Sequence, residues 1–282
     1  VSIRSICNFR LKQIPFLCNH LGLFIVLVCG VLGSADMSRI TMRAQVGQAE
    51  WRAADEKGNV RELPLAIELK DFVLEEYPPK LMIINNTTGE SMSGDNPNQM
   101  LVEDSVAVGE LDGWKIEVLE VLDMAASMVE SDTIKFVEWH SVGATSAVAV
   151  QATSPDGSVV RKGWVSCGSF AFPYQSLKLN DEVSLVMLSR EPKRFASNVR
   201  MYGQSGVQMD TTIEVNKPVE IEGWKVYQYS YDEYKGRWSD VSVFELVADP
   251  WLPYVYVGIF MMLLGALFMF IFSDKNVRRA EK

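Results

Sequence analysis

Few side chains in this sequence have the type and spacing that chemistry requires, and His20 is the main exception. The chain has two histidines, His20 and His140, and four cysteines without a C-x-x-C pair, which argues against a multi-histidine metal centre and a disulfide scaffold. His20 lies within an apolar segment, where an imidazole loses most of its water and needs a partner. Two interpretations stay open. In the first, His20 has a structural role: it makes a helix–helix hydrogen bond, shared with Asn19, or lies near enough to the membrane interface to stay hydrated. In the second, it is an axial ligand to haem iron, a role that neutral imidazole fills well.

The other candidate groups fit structural roles better than catalytic ones. The sequence contains no G-x-S-x-G motif and no P-loop, and no histidine is spaced to activate Cys167. Cys167, in GWVSCGSF, is predicted to be a packing residue at a strand end, with a reactive thiol as the alternative. His140, in EWHSVG, is predicted to be a surface or turn residue, and Cys18 and Cys29 to be packing or lipid-facing residues. We therefore predict that the chain has no catalytic constellation of its own.

Charge and composition argue against a nucleic-acid-binding protein. The 282 residues carry a net charge of −9 and the pI is about 4.9, whereas a nucleic-acid-binding surface is basic. A hydrophobic fraction of 48% is too high for a disordered chain. Most of this apolar character is concentrated in two blocks near the ends of the sequence.

Both blocks are long enough to cross a bilayer. They run from Ile14 to Ala35 and from Trp251 to Phe272, and neither contains Asp, Glu, Lys or Arg. Trp251, Tyr254 and Tyr256 lie at the start of the second block, as in the aromatic belt at a membrane surface. We predict that the second block is a transmembrane helix.

The first block has two interpretations. The positive charges of residues 1–13 and the small residues Gly33-Ser34-Ala35 resemble the start and the cleavage site of a signal peptide. However, Pro15, Asn19 and His20 extend the neutral stretch to spanning length, which favours an uncleaved transmembrane helix. In either case, the central region is exported.

The flanking charges predict the orientation. Basic residues exceed acidic residues on both outer flanks, which places both termini in the cytoplasm. The central region then holds 20 basic and 34 acidic residues, a net charge of −14. The predicted division is a cytoplasmic flank 1–13, a transmembrane helix 14–35, an exported β-rich domain 36–250, a transmembrane helix 251–272 and a cytoplasmic tail 273–282.

The exported region is predicted to be mainly β, as a sandwich or an irregular barrel. Runs rich in β-branched and aromatic residues recur between turn signals. These runs are Leu63–Phe72, Trp114–Val121, Ile134–Trp139, Ala147–Ala152, Val159–Ser166, Thr211–Asn216, Trp224–Tyr231 and Ser239–Val247. Pro155-Asp156-Gly157 predicts a hairpin turn, and Asp55–Gly58 and Asp95–Asn98 predict loops. Ala125–Ser131 is the one short helix predicted in this region.

Three stretches carry a resemblance to a known family. They are NHLGLFIVLVCGVLG at Asn19–Gly33, VNKPVEIEGWKVYQYSY at Val215–Tyr231 and DPWLPYVYVGIFMMLLG at Asp249–Gly265. In this order they resemble the ResB-like (CcsB) proteins of system II cytochrome c maturation. Trp251 stands where the family has a glycine. Family members usually have further membrane helices ahead of the histidine-bearing one, so a sequence beginning at Val1 is expected to be a truncated or a shortened variant.

The resemblance implies a function in haem handling. Such proteins work in the bacterial inner membrane beside a CcsA-type partner, which carries a W-W-D haem motif. Together the two proteins move haem across the membrane and attach it to the cysteines of a C-x-x-C-H motif in apocytochrome c. This chain has neither motif, so it is expected to be a non-enzymatic subunit with its large domain in the periplasm. His20 matches the family's transmembrane haem ligand, and the resemblance therefore favours haem ligation over a purely structural role.

The expected partners are the CcsA-type protein, apocytochrome c and membrane lipid, without nucleic acid, and the expected cofactor is haem shared transiently with the partner. The alternative is a membrane-anchored binding or scaffold module outside the cytoplasm that is unrelated to haem.

Overall fold

A computed structural model describes residues 14–103, 107–131 and 133–280 of the chain, with side chains described up to residue 270. This description does not include the flank 1–13, residues 281–282 or the side chains of the basic tail. The orientation inferred from flanking charges therefore stays a prediction.

Two apolar helices lie at the ends of the described chain. They are α1 (Ile14–Asp36) and α2 (Leu252–Ala280), and both are long and apolar enough to cross a membrane, α2 over Leu252–Phe270. Asp249 caps the N-terminus of α2, because its Oδ1 atom accepts hydrogen bonds from the backbone N–H groups of Trp251 and Leu252.

The helices pack against each other in antiparallel directions through small residues. A Cβ atom added to Gly22 would lie 2.6 Å from the Gly258 carbonyl oxygen, and one added to Gly265 would lie 2.8 Å from the Pro15 carbonyl oxygen. Pro15, Gly22 and Cys29 are buried at a spacing of seven residues. This spacing keeps one narrow face of α1 against α2, as small residues do in membrane helix pairs.

The described chain between the helices forms mostly β-strands, which confirms the predicted mainly β domain between two apolar helices. In chain order the strands are β1 (Ser38–Gln45), β2 (Ala49–Ala54), β3 (Val60–Glu76), β4 (Lys80–Asn85), β5 (Met100–Leu101), β6 (Val108–Leu111), β7 (Trp114–Glu130), β8 (Thr133–Glu138), β9 (Thr145–Thr153), β10 (Val160–Ser166), β11 (Leu177–Lys178), β12 (Val183–Met187), β13 (Pro192–Gly203), β14 (Gln208–Glu214), β15 (Val219–Ile221), β16 (Trp224–Tyr231) and β17 (Val241–Ala248). A single 3-10 turn, Gly236–Trp238, separates β16 from β17.

The strands nearest the helices form one barrel-like sheet. Its order is β14-β13-β3-β2-β1-β17-β16-β15, and β14 also lies against β16, so the sheet nearly closes on itself. Along β1 the side chains of Ile40, Met42 and Ala44 are buried and those between them are exposed. This alternation directs one face of the sheet into a core that includes Met201 and Phe244.

The strands β4 to β12 form a second lobe, inserted between β3 and β13, which pair directly with each other. A five-stranded sheet (β10-β9-β7-β6, with β8 on β7) and a four-stranded sheet (β11-β12-β4-β5) enclose a common core. Val148 and Val150 of β9 meet Leu185 of β12 in that core, as in a β-sandwich.

The short helix predicted at Ala125–Ser131 is wrong. Residues 125–130 continue the long strand β7 and pair with β8, and Ser131 begins the turn with a φ of 50°. Ala125 packs in a small buried cluster with Phe136 and Leu122. This packing and the ladder to β8 outweigh the helix propensity of alanine and methionine.

The predicted turns are confirmed at their positions. Pro155-Asp156-Gly157 connects β9 to β10, and Asp55–Gly58 and Asp95–Asn98 are turns or loops. The fragment Gly-Trp-Lys occurs twice, and each time its glycine is the second residue of a tight hairpin turn. The turns are Asp112-Gly113 between β6 and β7 and Glu222-Gly223 between β15 and β16. All four turn residues have positive φ, as the commonest two-residue hairpin requires.

Candidate functional site

His20 lies on the side of α1 that faces away from α2. Its side chain is exposed, whereas Pro15, Gly22 and Cys29 are buried against the other helix. Successive helical residues are about 100° apart, so a residue five positions after Pro15 and two before Gly22 points outward. The imidazole is therefore presented to whatever surrounds the helix pair.

Phe16 holds the imidazole of His20 in one orientation. The Nδ1 atom of His20 lies 2.9 Å from the Phe16 carbonyl oxygen, and the two rings lie with their centroids 3.9 Å apart at 37°. A carbonyl oxygen can only accept a hydrogen bond, so Nδ1 carries the proton and donates it. The Nε2 atom then keeps its lone pair, which is the form in which histidine binds metals.

This arrangement fits an axial ligand to haem iron. A histidine that ligates haem iron is usually a neutral imidazole, in which one nitrogen donates a hydrogen bond and the other is free to bind the metal. Among the residues that the structure describes, no group of three or more His, Cys, Asp or Glu side chains could hold a metal ion.

His20 belongs to an apolar stripe along α1. Phe24, Leu27 and Val31 are 63%, 60% and 70% exposed and lie four, seven and eleven residues after His20. These spacings place all four side chains on one helix face. We call His20, Phe24, Leu27 and Val31 the outward stripe.

The three cysteines within the described residues, and also His140, occupy the environments that the sequence predicts. Cys29 is buried between the helices and Cys18 is half-buried. Cys167 directly follows β10, where its thiol packs beside the sandwich core and lies 3.9 Å from the Thr145 hydroxyl. His140 follows β8 with a side chain that is 72% exposed and lies 3.8 Å from Glu138.

A cleft lies between the two lobes, and the sequence analysis did not predict it. This interlobe cleft has a volume of about 390 Å³ and is lined by the end of β3, the start of β9 and the segments 167–170, 189–192 and 231–238. Phe170, Tyr231, Tyr234 and Trp238 give it an aromatic lining. Burial raises the pKa of Tyr231, and the nearby negative charges of Glu233 and Glu76 raise it further.

An ion-pair network joins the lobes at the interlobe cleft. Arg190 lies 2.6 Å from Asp123 of β7 and 3.8 Å from Glu76 at the end of β3, and Arg237 also contacts Glu76. Arg190 and Arg237 both reach the Ser146 hydroxyl at the start of β9. The network ties three distant parts of the chain together.

No local sequence pattern predicts this ion-pair network, because Glu76 and Arg237 are 161 residues apart in the chain. The seven-residue spacing of Pro15, Gly22 and Cys29 is visible in the sequence, but only the structure shows that these residues are buried against α2 and that the face of His20 is free.

Residues 135–239 match the model of the ResB-like family, which confirms the predicted resemblance over that stretch. The match runs from β8 to the 3-10 turn, includes the motif at Val215–Tyr231 and covers most of the interlobe cleft. The helices α1 and α2 lie outside it. The family is a membrane-associated component of cytochrome c biogenesis. No curated protein matches the chain.

Proposed function

We propose, from the family match over residues 135–239 and the outward-facing imidazole of His20, that this chain is a membrane subunit of a system II cytochrome c maturation complex. It acts beside a CcsA-type partner, and the pair delivers haem to apocytochrome c. The attachment chemistry belongs to the partner and the substrate, because this chain has neither the W-W-D motif nor C-x-x-C-H.

In this proposal, His20 holds haem on the inner side of the membrane. Haem supplies an iron atom that accepts a neutral imidazole nitrogen as axial ligand. The Phe16 carbonyl keeps the proton on Nδ1 of His20 and so leaves Nε2 free, and the Phe16 ring limits the rotation of the imidazole. The partner contributes the remaining groups around the haem.

The outward stripe is the proposed contact for the partner's helices. Phe24, Leu27 and Val31 continue the face of His20 along α1 and have no cover from α2. A partner helix along this face would enclose the imidazole and exclude water from it. Close packing of this kind drives helix association in membranes.

The large domain faces the periplasm of a bacterial inner membrane in this proposal, with both termini in the cytoplasm. Its net charge of −14 favours the approach of basic apocytochromes through long-range attraction. Binding of apocytochrome should therefore weaken as the salt concentration rises, because salt screens such attraction.

Co-expression tests the proposed function. The chain, a CcsA-type partner and an apocytochrome c with one C-x-x-C-H motif are expressed together, and covalent haem is detected on the cytochrome after denaturing electrophoresis. We expect attachment with both proteins and little or none when either is omitted. Equal attachment by the partner without this chain would contradict the proposal.

A second candidate function is a membrane-anchored binding module unrelated to haem, and the interlobe cleft is the observation that favours it. Its aromatic walls and the arginines Arg190 and Arg237 could take a small ligand or a peptide segment. The haem content of the purified complex separates the two functions, since a binding module unrelated to haem would purify without it.

A further inference from the structure

A notch lies where α1 leaves the apolar span and enters the barrel-like sheet. Strands β1 and β2 pair at Thr41 and Ala54, where β2 ends, so the first residues of β1 have no β2 partner. The opening has a volume of about 620 Å³ and is lined by residues 35–40 on one side and by the β2–β3 turn on the other. We call this opening the membrane-edge notch.

The two sides of the membrane-edge notch differ in character. Ala35 and Met37 lie at the end of the apolar helix, and Met37 is 44% exposed. Across the notch lie Lys57 and Arg61, whose side chains are exposed. A molecule in the notch would therefore meet the apolar side chains of Ala35 and Met37 among the polar groups next to the helix, and cationic groups further from it.

Of the three cations that line the notch, Arg39 lies 3.5 Å from Glu245, and the other two have a weaker ion pair or none. Lys57 has no ion-pair partner among the described residues, and Arg61 approaches Asp55 only to 3.9 Å. Asp55 is occupied by hydrogen bonds from the Asn59 side chain and from the backbone of Asn59 and Lys57, which lower its pKa.

The remaining carboxylates of the notch are Asp36 and Glu56. Asp36 accepts a hydrogen bond from the indole nitrogen of Trp251, whereas Glu56 is exposed at the tip of the turn. A ligand of the notch would therefore meet two available cations, Lys57 and Arg61, beside one available carboxylate.

We propose that the membrane-edge notch binds the headgroup of a zwitterionic phospholipid of the phosphatidylethanolamine class. Lys57 and Arg61 would contact the phosphate, Glu56 would face the amine, and Ala35 and Met37 would lie beside the glycerol and the upper acyl chains. Cationic side chains next to a membrane helix commonly bind lipid headgroups. The proposal rests on α1 and α2 crossing the membrane, as in the proposed function, but not on haem.

Lipid titration of the full chain tests this site. The chain is delipidated in detergent and titrated with palmitoyl-oleoyl phosphatidylethanolamine, and bound lipid is counted by native mass spectrometry. The variant Lys57→Gln/Arg61→Gln is compared with Lys115→Gln/Lys162→Gln, which makes the same charge change at exposed positions of the five-stranded sheet. Circular dichroism shows that each variant keeps its β-structure.

We expect wild type and the Lys115/Lys162 variant to bind one molecule of phosphatidylethanolamine. The Lys57/Arg61 variant should bind this lipid with about tenfold lower affinity. Equal retention by all three proteins would overturn the site. Stronger binding of phosphatidylglycerol with the same acyl chains would overturn the zwitterionic class, and competition by inorganic phosphate would assign the notch to free phosphate. None of these outcomes affects the haem readout, so the two proposals fail independently.

Discussion

The indole nitrogen of Trp251 donates a 2.6 Å hydrogen bond to Oδ2 of Asp36, across 215 residues of sequence. This bond joins the last residue of α1 to the residue that precedes α2. Gly33 makes room for it, since a Cβ atom there would lie 3.3 Å from the Trp251 Cβ. The bond fixes both helices where the chain passes from the apolar span into the sheet.

Trp251→Phe should lower the free energy of unfolding of the full chain in detergent by about 1.5 kcal/mol, since it removes a hydrogen bond to a carboxylate. Chemical denaturation followed by circular dichroism measures the change. Asp36→Asn is the matched control, because an amide oxygen can still accept the bond, and it should cost less. An unchanged stability of the Trp251 variant would show that the bond does not hold the helices.

Gly22→Ala should separate α1 from α2, because the new Cβ atom would lie 2.6 Å from the Gly258 carbonyl oxygen. Overpacking of this kind costs about 1–3 kcal/mol, so the midpoint of thermal unfolding in detergent should fall. Gly30→Ala, on the same helix with nothing within 4 Å of the added atom, is the control and should have little effect. Equal midpoints of thermal unfolding for the two variants would contradict a close contact between α1 and α2 at Gly22.

Glu76→Gln should loosen the connection between the lobes, because Glu76 is 14% exposed and contacts both Arg190 and Arg237. Removing one member of a largely buried ion-pair group leaves its partners uncompensated. Hydrogen exchange should therefore quicken at the start of β9 and in the 3-10 turn. Glu191→Gln breaks an ion pair whose Glu is 63% exposed and should leave those amides unchanged. Equal exchange in both variants would contradict a role in joining the lobes.

Acid should remove the contribution of Glu214 to stability. Hydrogen bonds from Arg194 and then Lys217 lower the pKa of Glu214 from 4.5 to about 2. A lowered pKa in the folded state stabilises the fold above pH 4.5, and this stabilisation is lost as the pH falls towards 2. The difference in melting temperature between wild type and Arg194→Met should shrink over that range, and a constant difference would argue against the assignment.

Strands rich in β-branched and aromatic residues are predictable from this sequence, and strands without that composition are not. Trp224–Tyr231 is predicted with the bounds that β16 has in the structure. Strand β13 is missed, because Val199 is its only β-branched residue, and its pairing with β3 and β14 determines the strand instead. Strand β12 is also missed, although all of its residues are buried.

The arrangement of the lobes depends on contacts that the local sequence does not encode. The second lobe exists as an insertion because β3 pairs with β13 more than 100 residues later, for example Arg194 with Glu75, which are 119 residues apart. The interlobe cleft follows from that insertion. The choice of His20 came from its residue type and apolar context, whereas its outward direction depends on the contact with α2.

The haem spectrum of histidine variants tests the central claim most directly. The chain is co-expressed with a CcsA-type partner and purified in detergent as wild type, His20→Ala and His140→Ala, the last variant replacing the chain's other histidine. We predict that His20→Ala loses or alters the haem absorption while the complex stays intact, and that His140→Ala matches wild type. An unchanged spectrum in His20→Ala would contradict the account and remove His20 from the haem site.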